Sequence, residues 1–217
     1  MKSLRFIPIL MLTAVCGLVS SCDKVKEEID DAKDIFVPDA KAGKMFAVKS
    51  ARIEYNDSKV FSFDNYGMVA SLKESEETEL LYIDGSLYSI SHGERVYYKL
   101  PTKYADWNMY FSMYQFDEAY FKPLALVSGK SSKETIAGKQ CRVYSATIPE
   151  TEKNITTGGY KGICFLWDVK AGDYTYTLRA TKYSESVPAG TFALPKDYEE
   201  IVVEAEPDYH EGDKEFM

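Results

Sequence analysis

The stretch "LLYIDGSLYSISHGERVYYKLP", residues 80–101, contains three short apolar and aromatic runs separated by two turn signals. Asp84-Gly85 separates the first two runs, and glycine readily supplies the positive φ that a tight hairpin turn requires. His92-Gly93 marks the second turn. The pattern therefore predicts three consecutive antiparallel strands, over residues 80–83, 87–90 and 96–100.

Period-two patterning extends this meander towards the N-terminus. Apolar residues alternate through three further runs, which brings the predicted meander to six strands: residues 45–55, 60–63 and 66–72. Strand patterns return after residue 140, with Gly158-Gly159 and Gly172-Asp173 as expected turns and a short final segment that could pair at a sheet edge: residues 141–148, 162–169, 174–183 and 201–203. The predicted fold is mainly β with helices.

Residues 104–122 have the pattern of a helix with only a thin polar stripe, and Pro123 is expected to end it. A helix that is apolar around most of its circumference must be covered on more than one side. Four aromatic residues on it either pack into the core or line a ligand cavity as a lid: Trp107, Tyr110, Phe111 and Tyr114.

The N-terminus begins with Lys2 and Arg5, followed by an apolar run that is too short to cross a bilayer. This run ends in "GLVSSCDK", residues 17–24, which resembles the bacterial lipobox. The resemblance implies that residues 1–21 are a signal peptide and that Cys22 is lipidated. The alternative is an ordinary secretory signal. A diacylated cysteine would hold the protein on a membrane.

The residues after Cys22 bear on whether the lipidated protein is attached to the inner or the outer membrane. Asp23 resembles an inner-membrane retention residue, whereas the acidic cluster that follows resembles surface-export signals of other Gram-negative groups. We expect the outer membrane, at its periplasmic face or the cell surface. Residues 22–43 are predicted to form an acidic tether or a short helix, and residues 204–217 an acidic, disordered tail.

The chain is acidic, with a formal net charge of −8, which argues against nucleic acid as a partner. Two cysteines remain once the signal peptide and Cys22 are set aside: Cys141 and Cys164. A hairpin centred near residues 152–153 would bring them opposite each other. They form either a disulfide or two buried thiols on neighbouring strands.

Three stretches together resemble the LolA/LolB-like superfamily of lipoprotein-sorting carriers and related exported domains. They are residues 80–101, "ETIAGKQCRVYSAT" (134–147) and "VPAGTFALPKDYEEI" (187–201). The resemblance covers residues 44–203. It implies a curved antiparallel sheet forming an incomplete barrel, with a helix on its concave side and an apolar cavity that accepts acyl chains.

No pattern of reaction chemistry was found. The two histidines are His92, expected in an exposed turn, and His210 in the tail, so no metal site, cofactor site or catalytic residue is predicted. Glu76, Glu77 and Glu79 are expected in a solvated loop.

Three functions follow from these observations. The first is a noncatalytic envelope lipoprotein that binds a lipid or other apolar ligand in a half-barrel cavity. The second is a structural or protein-interaction module with a packed core. The third is a surface glycan-binding accessory, suggested by the 17 Tyr and 2 Trp. An empty apolar cavity beside the aromatic helix would favour the first.

Overall fold

The structure is a computed structural model that describes residues 35–101, 105–148 and 153–202. The chain divides into two compact units, Met1–Ile35 and Phe36–Met217, and the architecture below is that of the second. The predicted signal peptide, Cys22, most of the predicted tether and the acidic tail lie outside the described residues. The predictions for those segments therefore stay predictions.

The second unit is built on one open sheet of 12 strands, which confirms a mainly β fold. The predicted six-stranded meander is confirmed as β1 (Ala51–Tyr55), β2 (Val60–Asp64), β3 (Val69–Lys73), β4 (Thr78–Ile83), β5 (Ser86–Ser91) and β6 (Val96–Lys99). One difference lies at its start. Residues 45–49 form a series of bends before β1, in which Met45 and Phe46 turn into the core.

The second half of the sheet consists of β7 (Gly129–Ile136), β8 (Lys139–Ile148), β9 (Lys153–Tyr160), β10 (Ile163–Ala171) and β11 (Tyr174–Ser184), all antiparallel to their neighbours. The pattern did not predict two of these strands, β7 and β9. The expected turn at Gly158-Gly159 is wrong, because both residues lie within β9. A Cβ on Gly159 would come within 2.3 Å of Phe116, so glycine here allows a close approach of the backbone to that ring.

The two halves join where β1 pairs with β11, which leaves β7 and β12 (Glu199–Ile201) as the edge strands. The sheet curls at the β7 end. Glu134 on β7 forms an ion pair with Arg179 on β11 although three strands lie between them in the sheet order. The edge strand therefore approaches β11 without a backbone ladder joining the two.

The single helix predicted over residues 104–122 is instead two helices. Helix α1 (Trp107–Phe111) continues into a 3₁₀ turn, Ser112–Tyr114, and helix α2 (Glu118–Ser128) follows. The break occurs because the intervening backbone pairs with the sheet: Gln115 bridges to Ile163, and Phe116 N donates to Gly162 O. Pro123 does not end the helix but lies within α2, where it removes one backbone donor.

Each helix begins at an aspartate. Asp106 accepts a hydrogen bond from Asn108 N at the start of α1, and Asp117 accepts one from Tyr120 N at the start of α2. Their inner side chains join two hydrophobic clusters. The larger one contains Trp107, Phe111 and Tyr114 with residues of β1 and β2, whereas the smaller one lies between α2 and strands β8 to β10.

After β11 the chain crosses the opposite face of the meander. We call residues 185–198 the strap. It leads into β12, which pairs in parallel with β6 at a sheet edge. The predicted edge position is confirmed, but the strand covers Glu199–Ile201 and so begins two residues before the predicted 201–203. One face of the meander thus faces α1, and the other lies beneath the strap.

Candidate functional site

The predicted aromatic set lies in the interior. Phe111 is 0% and Tyr114 1% exposed, Trp107 is buried, and Tyr110 is partly buried. Phe61 of β2 stacks on Tyr114 with ring centroids 4.8 Å apart and also contacts Phe111 at 5.9 Å. The rings of Trp107, Phe111 and Tyr114 therefore pack against other protein rings rather than against open space, and Tyr110 packs against the same cluster.

The surroundings of this cluster are dry. Desolvation raises the pKa of Tyr114 above its ordinary value, and raises that of Tyr55 as well. Tyr55 Oη donates a 2.8 Å hydrogen bond to the carbonyl oxygen of Cys164, which satisfies its buried hydroxyl. The cluster thus behaves as hydrophobic core, in which the Tyr55 hydroxyl is paired with a backbone carbonyl.

The prediction that Cys141 and Cys164 lie opposite each other is wrong. Both are free and buried, and they lie on β8 and β10 with β9 between them. The register aligns Gly159 of β9 with Cys164. Strands two positions apart are separated by about 10 Å, beyond the roughly 7 Å that a disulfide can span. Burial raises the pKa of each thiol to about 12.

A second candidate site lies on the other face of the meander. Because side chains alternate along a strand, the neighbours of the core residues point to this face. They form the floor of a cavity of about 440 Å³ that is covered by the middle of the strap. The floor carries Arg52, Val60, Ser62, Ser71, Lys73, Glu79, Ile90 and His92, and the roof Gly190, Thr191, Ala193, Leu194, Pro195 and Lys196.

His92 is not an isolated residue in an exposed turn, as predicted, but the centre of a hydrogen-bond chain. Its Nε2 lies 3.1 Å from Glu79 Oε2, and its Nδ1 lies 3.1 Å from Tyr198 Oη at the end of the strap. Ser71 Oγ donates a 2.6 Å hydrogen bond to the second oxygen of Glu79. The chain therefore connects the strap to the floor of the cavity.

Further contacts hold this end of the strap. Arg95 forms an ion pair with Asp197, and its guanidinium lies 5.5 Å from the centroid of the Tyr198 ring. Glu199 N donates to Arg95 O, which begins the parallel pairing of β12. By contrast, the turns over the cavity are closed by local bonds, from Thr191 N to Pro188 O and from Ala193 N to Gly190 O.

The order of the hydrogen bonds from Ser71 through Glu79 to His92 bears on whether these residues could act as a nucleophilic pair. In a nucleophilic pair the serine hydroxyl hydrogen-bonds to the base that will accept its proton. Here the hydroxyl of Ser71 donates to Glu79, and His92 lies on the other side of that carboxylate. The arrangement suits holding and orienting a ligand. Among the described residues, no group of three or more His, Cys, Asp or Glu could hold a metal ion.

Sequence reasoning missed the cavity because its residues are far apart in the chain. Tyr198 and His92 are separated by 106 positions. The available signal was the alternation itself, which places Ser62 and Ser71 on the face opposite the core residues of β2 and β3. Register then places Glu79 of β4 on the same face as Ser71, together with buried Leu81. The strap could not be assigned to that face because it has no strand or helix pattern.

A partly buried ion pair holds the first turn of α2 against the sheet. Glu118 accepts hydrogen bonds from Arg142 Nη1 at 2.9 Å and from Tyr144 Oη at 2.7 Å. Its position at the start of a helix also favours a negative charge. The pair belongs to the packing between α2 and β8.

Comparison with protein-family models and with curated proteins found no match. The LolA/LolB-like resemblance therefore stays a prediction from the three quoted stretches. In the part of the chain that the structure describes, no helix is long and apolar enough to cross a membrane.

Proposed function

We propose that this protein is a noncatalytic lipoprotein of the Gram-negative envelope that binds a small polar ligand beneath the strap. The observation that carries the proposal is the cavity of about 440 Å³ with a hydrogen-bonded polar floor. Its size falls within the range of small-molecule sites. The lipobox-like stretch ending at Cys22 supports attachment to a membrane, and the outer membrane is the proposed location.

The packing of the interior is the reason for preferring this cavity to the apolar one predicted from the sequence. An acyl chain beside Phe111 and Tyr114 would have to displace rings that already contact Phe61. Moving a packed aromatic ring forfeits several kcal/mol of burial. One observation favours a ligand there nonetheless: Trp107 Nε1 is a buried donor without a partner in the described part of the chain.

The proposed architecture keeps the half-barrel of the sorting carriers, with α1 on the concave side of the meander. The contacts of Trp107 with Phe46 and of Phe111 with Phe61 support that arrangement. In this protein the aromatic helix acts as a plug of the interior, and the ligand binds on the opposite face.

A second candidate function is a protein-interaction module. It is favoured by apolar side chains that the two helices leave in solvent: Met109 is 65%, Tyr120 53% and Leu126 72% exposed. Exposed methionine and aromatic residues are adaptable contacts for a protein partner. In-cell cross-linking from position 109 would identify a stable partner if this function holds.

Ligand retention tests the first proposal. The full-length chain is purified from a Gram-negative host in mild detergent, and bound small molecules are identified by mass spectrometry. Ala193 lines the cavity from the exposed strap, so Ala193→Trp should fill it and abolish retention. Tyr174→Trp, on an exposed strand position away from the cavity, is the matched control. An acyl chain retained equally by both variants would overturn the proposal.

The membrane anchor is tested separately. Wild type and Cys22→Ser are labelled with a clickable fatty acid and fractionated. Labelling and sedimentation with the outer membrane are expected for wild type only. Label on the serine variant, or soluble wild type, would contradict the lipid anchor.

A further inference from the structure

We infer that the cavity beneath the strap binds a small organic anion through a carboxylate or phosphate group; this inference rests on the proposed polar-ligand function. Three cationic side chains line the cavity, Arg52, Lys73 and Lys196, against the single carboxylate of Glu79. The chain as a whole carries a formal charge of −8. Positive charge is therefore gathered at this cavity against the overall trend of the protein.

The cations are available for a ligand. Within the described residues, neither Lys73 nor Lys196 forms a salt bridge. Arg52 contacts Glu54 through one nitrogen at 3.4 Å, and a guanidinium has five N–H donors, so most of its donors are unused by that contact. Lysine and arginine at such a site are the usual partners of carboxylate and phosphate groups.

The floor of the cavity also carries hydroxyl groups. Ser62 is 1% exposed and lines the cavity beside Ser71. A serine hydroxyl can donate a hydrogen bond to a carboxylate or phosphate oxygen. Ser62 could therefore add a hydrogen bond to the charge contacts of the three cations.

The single carboxylate does not oppose this assignment. Glu79 already accepts a hydrogen bond from Ser71 and contacts His92 through its other oxygen. These two contacts engage both of its carboxylate oxygens and fix it to one side of the cavity. The remaining walls, from Val60, Ile90 and Leu194, are aliphatic, so the site contains no aromatic platform among its lining residues other than the His92 ring. Charge and hydroxyl contacts, rather than ring stacking, would then select the ligand.

Calorimetric titration of the full-length chain in mild detergent tests the inference. The probes are galacturonate and glucose 6-phosphate, with galactose and glucose as their uncharged counterparts. We expect saturable binding of at least one anionic probe, weakened by added salt, and no detectable binding of the neutral sugars. The carboxylate and phosphate probes distinguish the two anionic groups.

Lys73→Gln and Lys170→Gln form the matched pair of variants. Lys73 is an exposed residue at the end of β3 whose ammonium is proposed to contact the anion, whereas Lys170 is exposed on β10 outside the cavity. The first change should weaken binding about tenfold, the usual loss for one charged hydrogen bond, and the second should leave it unchanged. Equal affinities for the two variants would overturn the inference.

The outcomes separate the two proposals. If wild type retains a neutral compound from the host that Ala193→Trp loses, the polar-ligand function stands and the anionic assignment fails. If no compound is retained and no probe binds, both fail. Binding of an anionic probe that Lys73→Gln weakens supports both.

Discussion

The two faces of the same meander differ in how they are covered. On one face, Phe61 and Phe63 of β2 pack against Phe46 and the rings of α1. On the other face, Ser62, which lies between them in the chain, opens into the cavity beneath the strap. Neighbouring residues thus belong to a dry core and to a polar site, because a strand directs successive side chains to opposite sides.

The covers differ in chemistry as well as in shape. Helix α1 brings large rings that fill the space above the sheet, whereas the strap contributes Gly190, Ala193 and Pro195 over the cavity. Small residues held by local turns leave a gap where aromatic side chains would close it. The helical cover therefore adds buried aromatic contacts to the core, whereas the strap leaves the space in which the proposed ligand would bind.

Phe61→Ala should have the largest effect on stability. Phe61 is 0% exposed and contacts four other aromatic rings, so truncation leaves a cavity and should lower the free energy of unfolding by about 3–5 kcal/mol. Chemical denaturation measures the loss. Val60→Ala, one residue away on the strap-covered face, should cost about 1 kcal/mol. Equal losses would remove the contrast between the faces.

The buried thiols should be almost unreactive in the folded protein. The pKa of Cys141 and of Cys164 rises from 9.0 to about 12, so at pH 8 their thiolate fraction falls about a thousandfold relative to the unfolded chain. Alkylation followed by peptide mass spectrometry reports each site, with urea-unfolded protein as the control. Rapid alkylation of the native protein would show that this region opens.

The same pKa shift predicts a dependence of stability on pH. A thiol whose folded pKa lies above its unfolded value holds its proton more tightly in the folded state. Its stabilising contribution is therefore complete below about pH 9 and is lost as the pH rises towards 12. Denaturation curves at pH 8, 9 and 10 should show a progressive fall in unfolding free energy.

Glu118→Ala tests how firmly α2 is held. Removing this carboxylate takes away one acceptor that Arg142 and Tyr144 share, and should cost about 2 kcal/mol in denaturation experiments. Glu134→Ala breaks the more exposed ion pair with Arg179 and should cost less than about 1 kcal/mol. If Glu134→Ala cost more stability than Glu118→Ala, the ion pair between β7 and β11 would contribute more to stability than the ion pair that holds α2.

Tyr198→Phe should have a small effect on global stability and a local effect on the strap. It removes one hydrogen bond to His92, worth about 1 kcal/mol. Hydrogen exchange should accelerate at residues 195–201 while α1 and β2 stay protected. Tyr174→Phe, at an exposed position, serves as the control. Unchanged exchange in the strap would show that Tyr198 does not fasten it.

The parts of the fold that were predictable depend on local signals. The turn at Asp84-Gly85 and the alternation around it predicted the bounds of β4 to β6 within a residue or two, because the geometry of a hairpin depends on adjacent residues. The exposed strand β7 was missed because seven of its eight residues are exposed and show no alternation. Strand β9 was missed because Gly158-Gly159 has the composition of a turn.

In the helical region, too, local sequence patterns predicted only part of the structure. The composition of residues 104–122 predicts burial of Trp107 and Tyr114, but not the interruption at Gln115, which depends on pairing with Ile163 some 48 positions later. The cavity is a similar case. Its floor comes from five strands and its roof from the strap, so no short stretch contains it.

The amino-acid sequence by itself determined a mainly β chain, the registers of its tight hairpins, and a set of aromatic residues that must be buried away from solvent. These features follow from contacts between residues that are near neighbours in the chain. The tertiary structure decided which segment covers each face of the meander. The rings of α1 cover the face of Phe61, and the strap covers the face of Ser62. That choice depends on contacts between distant segments, such as His92 with Tyr198, and on the space left after packing.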